Sequence, residues 1–164
     1  MGKLGKVKNA NDFARRLKDQ HFNAKIKNIK QLIYLGFDEE GYKELLQIQQ
    51  MKSISVKQNL KIADCFYKIA KYQECLKILE PIEENFQNMS SQATNDKLEL
   101  LSVLGLVYRG LGRQELAVKK WKECLDINSK YTMALNNLGN HFMNTGNFKD
   151  AAKCYWRSKK CNNN

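Results

Sequence analysis

"LGLVYRGLGRQELAVKKW", residues 104–121, is followed after a short gap by "LGNHFMNTGNFKDAAKCYW", residues 138–156. Both read Leu-Gly, an aromatic three residues after that Gly, a second Gly, then Ala and a large aromatic. At an offset of 34 residues Leu101 falls on Leu135, Leu104 on Leu138, Gly105 on Gly139 and Tyr108 on Phe142. The register continues through Gly112 and Gly146, Ala117 and Ala151, and Trp121 and Tyr155.

The Leu and aromatic residues recur at three- and four-residue spacing, which makes one apolar stripe on a helix. A Gly inside such a helix costs roughly 1 kcal/mol against Ala. Gly105 and Gly139 are therefore expected where a Cβ would collide with a neighbouring helix. Gly112 and Gly146 fit the tight turn that ends the first helix. Ala117 and Ala151 then let a second helix approach, and Trp121 and Tyr155 fill the remaining space. One such hairpin cannot bury its own apolar face, so hairpins must stack.

Upstream, "IADCFYKIAKYQECLKIL", residues 62–79, fits the same frame with Ala63 for the Gly, Phe66 for the aromatic, Cys75 for the Ala and Leu79 for Trp121. Ala63 stands 42 residues before Gly105, so about eight extra residues lie between, in "PIEENFQNMSSQATND", 81–96. We expect a lengthened second helix kinked at Pro81, then a loop at Ser-Ser-Gln-Ala-Thr-Asn. Earlier still, "LIYLGFDEEGYKELLQIQQMK", 32–52, reads as helix–turn–helix, with Tyr42, Leu45 and Leu46 in the pattern of Tyr72, Cys75 and Leu76. Residues 10–34 have helical composition and a basic face. The whole predicts nine or so helices: one leading helix, then four stacked pairs.

A 34-residue period with W-x2-L-G-x2-Y and then A-x3-F resembles the tetratricopeptide repeat, or TPR. Leu101 and Leu135 stand where the first aromatic of that pattern sits, and Ser129 where its closing Pro would be. The resemblance covers 98–161, extends to 57–80, and is degenerate over 20–53. It implies an all-α, right-handed TPR-like superhelix (an α-solenoid) of about four helical hairpins plus a leading helix. A basic N-terminal segment, 1–19, would precede a repeat domain, 20–164. That domain would comprise a degenerate repeat at 20–53 and repeats at 55–96, 98–131 and 132–161.

Composition agrees with one soluble helical domain. The 164 residues are 43% hydrophobic, with one Pro and nine Gly, enough for a continuous core. No stretch approaches the ~20 apolar residues of a membrane span. The net charge of +11 is uneven: +7 over 1–34, −2 over 35–97 and +6 over 98–164. Basic ends of this kind attract an acidic protein, RNA or a membrane surface. The five Cys form no C-x-x-C pair and only His21 and His141 accompany them, so no zinc or other metal site is expected. The thiols read as small apolar packing residues of an intracellular, reducing compartment, the cytoplasm first, with a mitochondrial or ciliary assembly as alternatives. Lys6 stands where myristoylation wants Ser or Thr. The acid-free first eleven residues leave a mitochondrial presequence open, although Lys replaces the usual Arg.

Catalysis is not expected. No G-x-S-x-G, P-loop, H-E-x-x-H or dinucleotide Gly pattern occurs, and acid pairs such as Glu39–Glu40 and Glu83–Glu84 read as solvated. No cofactor and no small-molecule substrate is called for. The TPR resemblance implies protein binding in a groove lined by the first helix of each pair. Its register places Asp64, Tyr67, Ser102, Leu106, Arg109, Asn136, Asn140 and Met143 on that groove. Asn136 and Asn140 offer both donor and acceptor to a partner backbone. The Lys–Asn clamp that some TPR proteins close on a chaperone's C-terminal carboxylate is incomplete, since Ser102 and Leu106 stand in its place. The alternative is a basic helical-repeat subunit contacting RNA, with Lys119, Lys120 and Lys122 touching phosphate from a second helix. A third expectation concerns the last helix, "AAKCYWRSKKCNNN", which carries Tyr155 and Trp156 and no polar cap. Either the sequence is truncated there, or a partner in a larger complex covers that end through these two rings.

Overall fold

The computed structural model describes residues 10–51, 54–88 and 94–162. Eight helices run through them: α1 (Ala10–Tyr34), α2 (Asp38–Gln49), α3 (Val56–Lys68), α4 (Tyr72–Asn88), α5 (Thr94–Gly110), α6 (Gln114–Ile127), α7 (Thr132–Asn144) and α8 (Phe148–Asn162). The described residues contain no strand. None of these helices is long and apolar enough to cross a membrane. The chain divides into two compact units, Met1–Lys52 and Ser53–Asn164.

In the first unit α1 packs on α2. We expected a leading helix and a separate first helix here, with a boundary at 19/20. Instead α1 runs unbroken for 25 residues, because no Gly or Pro interrupts it between Ala10 and Tyr34. Eight helices lie in the described residues, where nine or so were expected for the whole chain. Phe22, Ile26 and Ile29 are buried at four- and three-residue spacing. Residues 1–9 of the basic N-terminal segment lie outside the described residues.

All four hairpin turns share one geometry. A residue with positive φ ends each first helix: Gly36 at 84°, Ala70 at 56°, Gly112 at 75° and Gly146 at 76°. The amide of the following residue donates back to a carbonyl five residues earlier: Phe37 to Leu32, Lys71 to Phe66, Arg113 to Tyr108 and Asn147 to Phe142, at 2.8–2.9 Å. The positive-φ residue itself donates three residues back, as Gly112 does to Arg109 at 3.0 Å. This double closure satisfies carbonyls the helix end would otherwise orphan, and it needs the left-handed backbone that Gly adopts without strain. The four turns also set the register of the first hairpin. Gly36 corresponds to Ala70, so Gly41 answers Cys75 and Leu45 answers Leu79. The sequence pairing of Tyr42 with Tyr72 and Leu45 with Cys75 is thereby shifted by four residues.

In the second unit each helix packs on its hairpin partner, and α5 additionally meets α3, α4 and α7. The core holds Leu60, Ile62 and Phe66 of α3, Leu76 and Leu79 of α4, Leu100, Leu104 and Val107 of α5, and Trp121 of α6, all buried. Gly105 lies where a Cβ would run into the Trp121 indole. At Gly139 a Cβ would stand 2.6 Å from Tyr155 Cε1, so both glycines mark close helix crossings, as expected. A third crossing that sequence reading missed is Gly110, where a Cβ would meet the Tyr72 ring at 2.6 Å. α3 begins at a capping box in which Ser55 Oγ accepts from the Gln58 amide and Gln58 Oε1 accepts from the Ser55 amide. α4 runs on through Pro81 to Asn88, and the expected loop lies largely in 89–93, outside the described residues.

The thiols are packing groups. Cys65, Cys75, Cys124 and Cys154 are buried. Cys75 Sγ donates to the Ala63 carbonyl at 3.3 Å and Cys124 Sγ to that of Leu98 at 3.6 Å. Burial pushes both up to about 12, so neither is a thiolate at neutral pH.

Candidate functional site

The first helices of the second unit, α3, α5 and α7, each keep part of their surface out of the core. Equivalent positions carry Asp64 and Tyr67 on α3, Leu106 and Arg109 on α5, and Asn140 and Met143 on α7. Asp64, Tyr67, Leu106 and Arg109 are half-buried, whereas Asn136 and Asn140 are exposed and Met143 is 45% exposed. Because α5 packs on both α3 and α7, the α5 pair has a neighbour on either side.

Several of these groups are already held in place. Asp64 pairs with Lys68 one turn along at 3.3 Å. The Tyr67 ring stands 5.5 Å from that of Tyr72 across the α3–α4 turn. The Arg109 guanidinium lies over Trp121, 5.8 Å from the ring centroid. This contact fixes a cation above a buried aromatic. The Tyr155 hydroxyl donates to Asn140 Oδ1 at 2.6 Å, which leaves the Asn140 amide to donate outward. The surface thus combines one oriented cation, apolar Leu106 and Met143, and carboxamide donors.

Ser102 does not belong to it. Its side chain is fully buried, and its carbonyl accepts from Trp121 Nε1 at 3.3 Å. Helical register alone does not show that this turn of α5 is enclosed. Tyr155 and Trp156 also part company. Tyr155 is half-buried against Gly139 and Asn140, while Trp156 is 63% exposed with the Lys160 ammonium 5.2 Å from its ring centroid. Adjacent helical residues differ by about 100°, so only one of the two rings can enter the α7–α8 seam.

The lysine cluster of α6 is divided as well. Lys120 Nζ donates to Glu83 of α4 and, at 3.3 Å, to Glu123. Its side chain is 12% exposed and that of Glu83 14%. Lys120 is therefore a helix-to-helix tie, not part of an exposed basic patch. Burial alone would lower its pKa, but the Glu83 hydrogen bond and charge, with Glu123, hold it above the ordinary lysine value of 10.5. A raised folded-state pKa stabilises below the unfolded pKa and loses that contribution as pH climbs through the folded one. Lys120→Met is expected to cost about 2 kcal/mol. In denaturant melts this deficit should stay constant below pH 10.5 and narrow above it; a deficit that widens in alkali contradicts the assignment.

No group of three or more His, Cys, Asp or Glu among the described residues is placed to hold a metal ion. No protein-family model and no curated protein sequence matches the chain. Solved structures do. A crystal structure of MamA is 15% identical over 93% of this chain and 86% of its own, with a TM-score of 0.59. MamA from residue 41 to its end, from Desulfovibrio magneticus RS-1, is 15% identical over 87% of this chain and 76% of its own, with a TM-score of 0.62. The C-terminal part of a TPR repeat-containing protein from Cytophaga hutchinsonii is 21% identical over 81% of this chain and 50% of its own, with a TM-score of 0.56. With eight helices in the described residues, the 34-residue register and these superpositions, the chain carries the all-α, α-solenoid fold of the tetratricopeptide-repeat proteins.

Proposed function

We propose that this protein is a non-catalytic interaction scaffold, a small subunit of a larger protein assembly. It receives a partner segment on the surface of α3, α5 and α7. The observation that carries this reading is the oriented Arg109 guanidinium, held over Trp121 on a helix that carries half-buried Leu106 and packs on α7, with its exposed Asn140 and Met143. Such a surface suits an extended or helical peptide with a carboxylate for Arg109, an apolar side chain for Leu106 and Met143, and a backbone carbonyl for the Asn140 amide. In this reading 55–96, 98–131 and 132–161 are the repeat units, 20–53 is a divergent one, and 1–19 is a basic extension. Buried thiols used as packing groups support a reducing intracellular setting.

The test compares pull-downs of two double variants. Arg109→Ala with Asn140→Ala should lose captured protein partners by about tenfold, equivalent to 1.4 kcal/mol, with an unchanged far-ultraviolet spectrum. Lys119→Glu with Lys122→Glu should retain them. The reverse pattern, with capture that falls steeply with salt, overturns the groove and points to phosphate contacts on RNA.

A further inference from the structure

The second helices of the larger unit differ sharply in charge. α4 carries four Glu against one Lys, α6 three acids against three lysines, and α8 five cations against one acid. On α4 and α6 these charges are partly matched in place: Lys120 serves Glu83 and Glu123, and the Tyr108 hydroxyl donates to Glu80 at 3.2 Å. On α8 the single acid, Asp150, is bonded by Asn147 at 2.8 Å and Lys153 at 3.0 Å. A strong positive excess remains.

That excess has a centre. At about 100° per residue, Lys149, Ala152, Lys153, Lys159 and Lys160 all fall within roughly 60° of Trp156. All six are exposed, and the arc contains no acid. The opposite side of α8, with Ala151, Cys154 and Ser158, is buried. Ala152 and Trp156 lie one turn apart, so a small residue and a large ring form a notch and a ridge on the same row. The face runs about 16 Å from Lys149 to Lys160, three helical turns.

We infer that the Trp156 face of α8 is a docking site for an acidic amphipathic helix of a partner protein. Its apolar stripe would seat on Trp156 and Ala152, and its carboxylates would meet the flanking lysines. Charge complementarity selects an acidic partner, and the single three-turn ridge matches one helix packed along it. A nucleic-acid strand is less well suited, because this arc of α8 carries one aromatic ring, whereas single strands stack successive bases on several. This site is separate from the surface of α3, α5 and α7 and does not depend on it.

A synthetic helical peptide with Leu at i, i+3 and i+4 and Glu elsewhere is the probe. It is titrated against the full chain while tryptophan emission and peptide anisotropy are followed. Trp121 is already buried, so a blue shift on binding reports Trp156. Trp156→Ala should weaken peptide binding by about tenfold or more, and Lys153→Glu with Lys160→Glu should abolish it. Both should leave helicity unchanged, and the emission shift should vanish in Trp156→Ala. The inference is overturned if wild type does not bind the peptide, or if Trp156→Ala binds it as tightly. It also fails if a single-stranded oligonucleotide shifts the emission and the peptide does not.

Discussion

Trp121→Ala is expected to destabilise the α3–α8 unit by about 3–5 kcal/mol. The indole is fully buried. Its removal leaves a cavity, loses the hydrogen bond that Nε1 gives the Ser102 carbonyl at 3.3 Å, and releases Arg109 from its ring. At about 4–8 °C per kcal/mol for small domains, a thermal melt followed at 222 nm should drop by roughly 12–40 °C, or the variant should not fold at ordinary temperatures. Tyr155→Ala, at the equivalent position but half-buried, should cost distinctly less. Equal melts for the two variants would mean that the hairpins do not share the core in the way described.

Gly105→Ala carries the second large effect. Ala is the better helix former by roughly 1 kcal/mol, so propensity alone predicts stabilisation. The added Cβ, however, meets the face of a buried ring that has no room to retreat. Overpacking of this kind costs about 1–3 kcal/mol, occasionally more, and should outweigh the gain. Gly105→Leu should be worse than Gly105→Ala. A double-mutant cycle distinguishes steric conflict from a general helix effect. Gly105→Ala in a Trp121→Phe background should cost much less than in wild type, because contacting residues couple. Strict additivity would remove the ring from the explanation.

The fold was legible wherever a residue type has one strong reason to be where it is. Gly105, Gly112, Trp121 and their partners 34 residues on announced both crossings and turns. Ala70 did not. It occupies the left-handed position that Gly fills in the other three turns, at a cost of about 1–2 kcal/mol. Nothing in its side chain signals that role, so the frame joining Gly36 to Gly112 stayed hidden and the first hairpin was set four residues out of register. The site was half legible for a different reason. Helical periodicity says which way a side chain points, not how far the next helix covers it. Ser102, placed on the groove by register, is fully buried. Lys120 looked like one of three surface cations until α4 supplied Glu83. Trp156 and Tyr155 were separable in principle by their 100° offset, but only packing decided which of them faced Gly139.

The four turns, at 36, 70, 112 and 146, stand 34, 42 and 34 residues apart. The extra eight residues fall between hairpins and not within one, and every pair keeps its internal spacing. This sets out where the chain tolerates insertions and deletions. A change in the number of residues between one hairpin and the next disturbs no crossing within a hairpin. One residue removed between Gly105 and Gly112 would rotate the glycine by about 100° and turn it away from the indole it accommodates. Each hairpin is thus a cassette of fixed length, and the joints between cassettes are where relatives of this chain are free to differ.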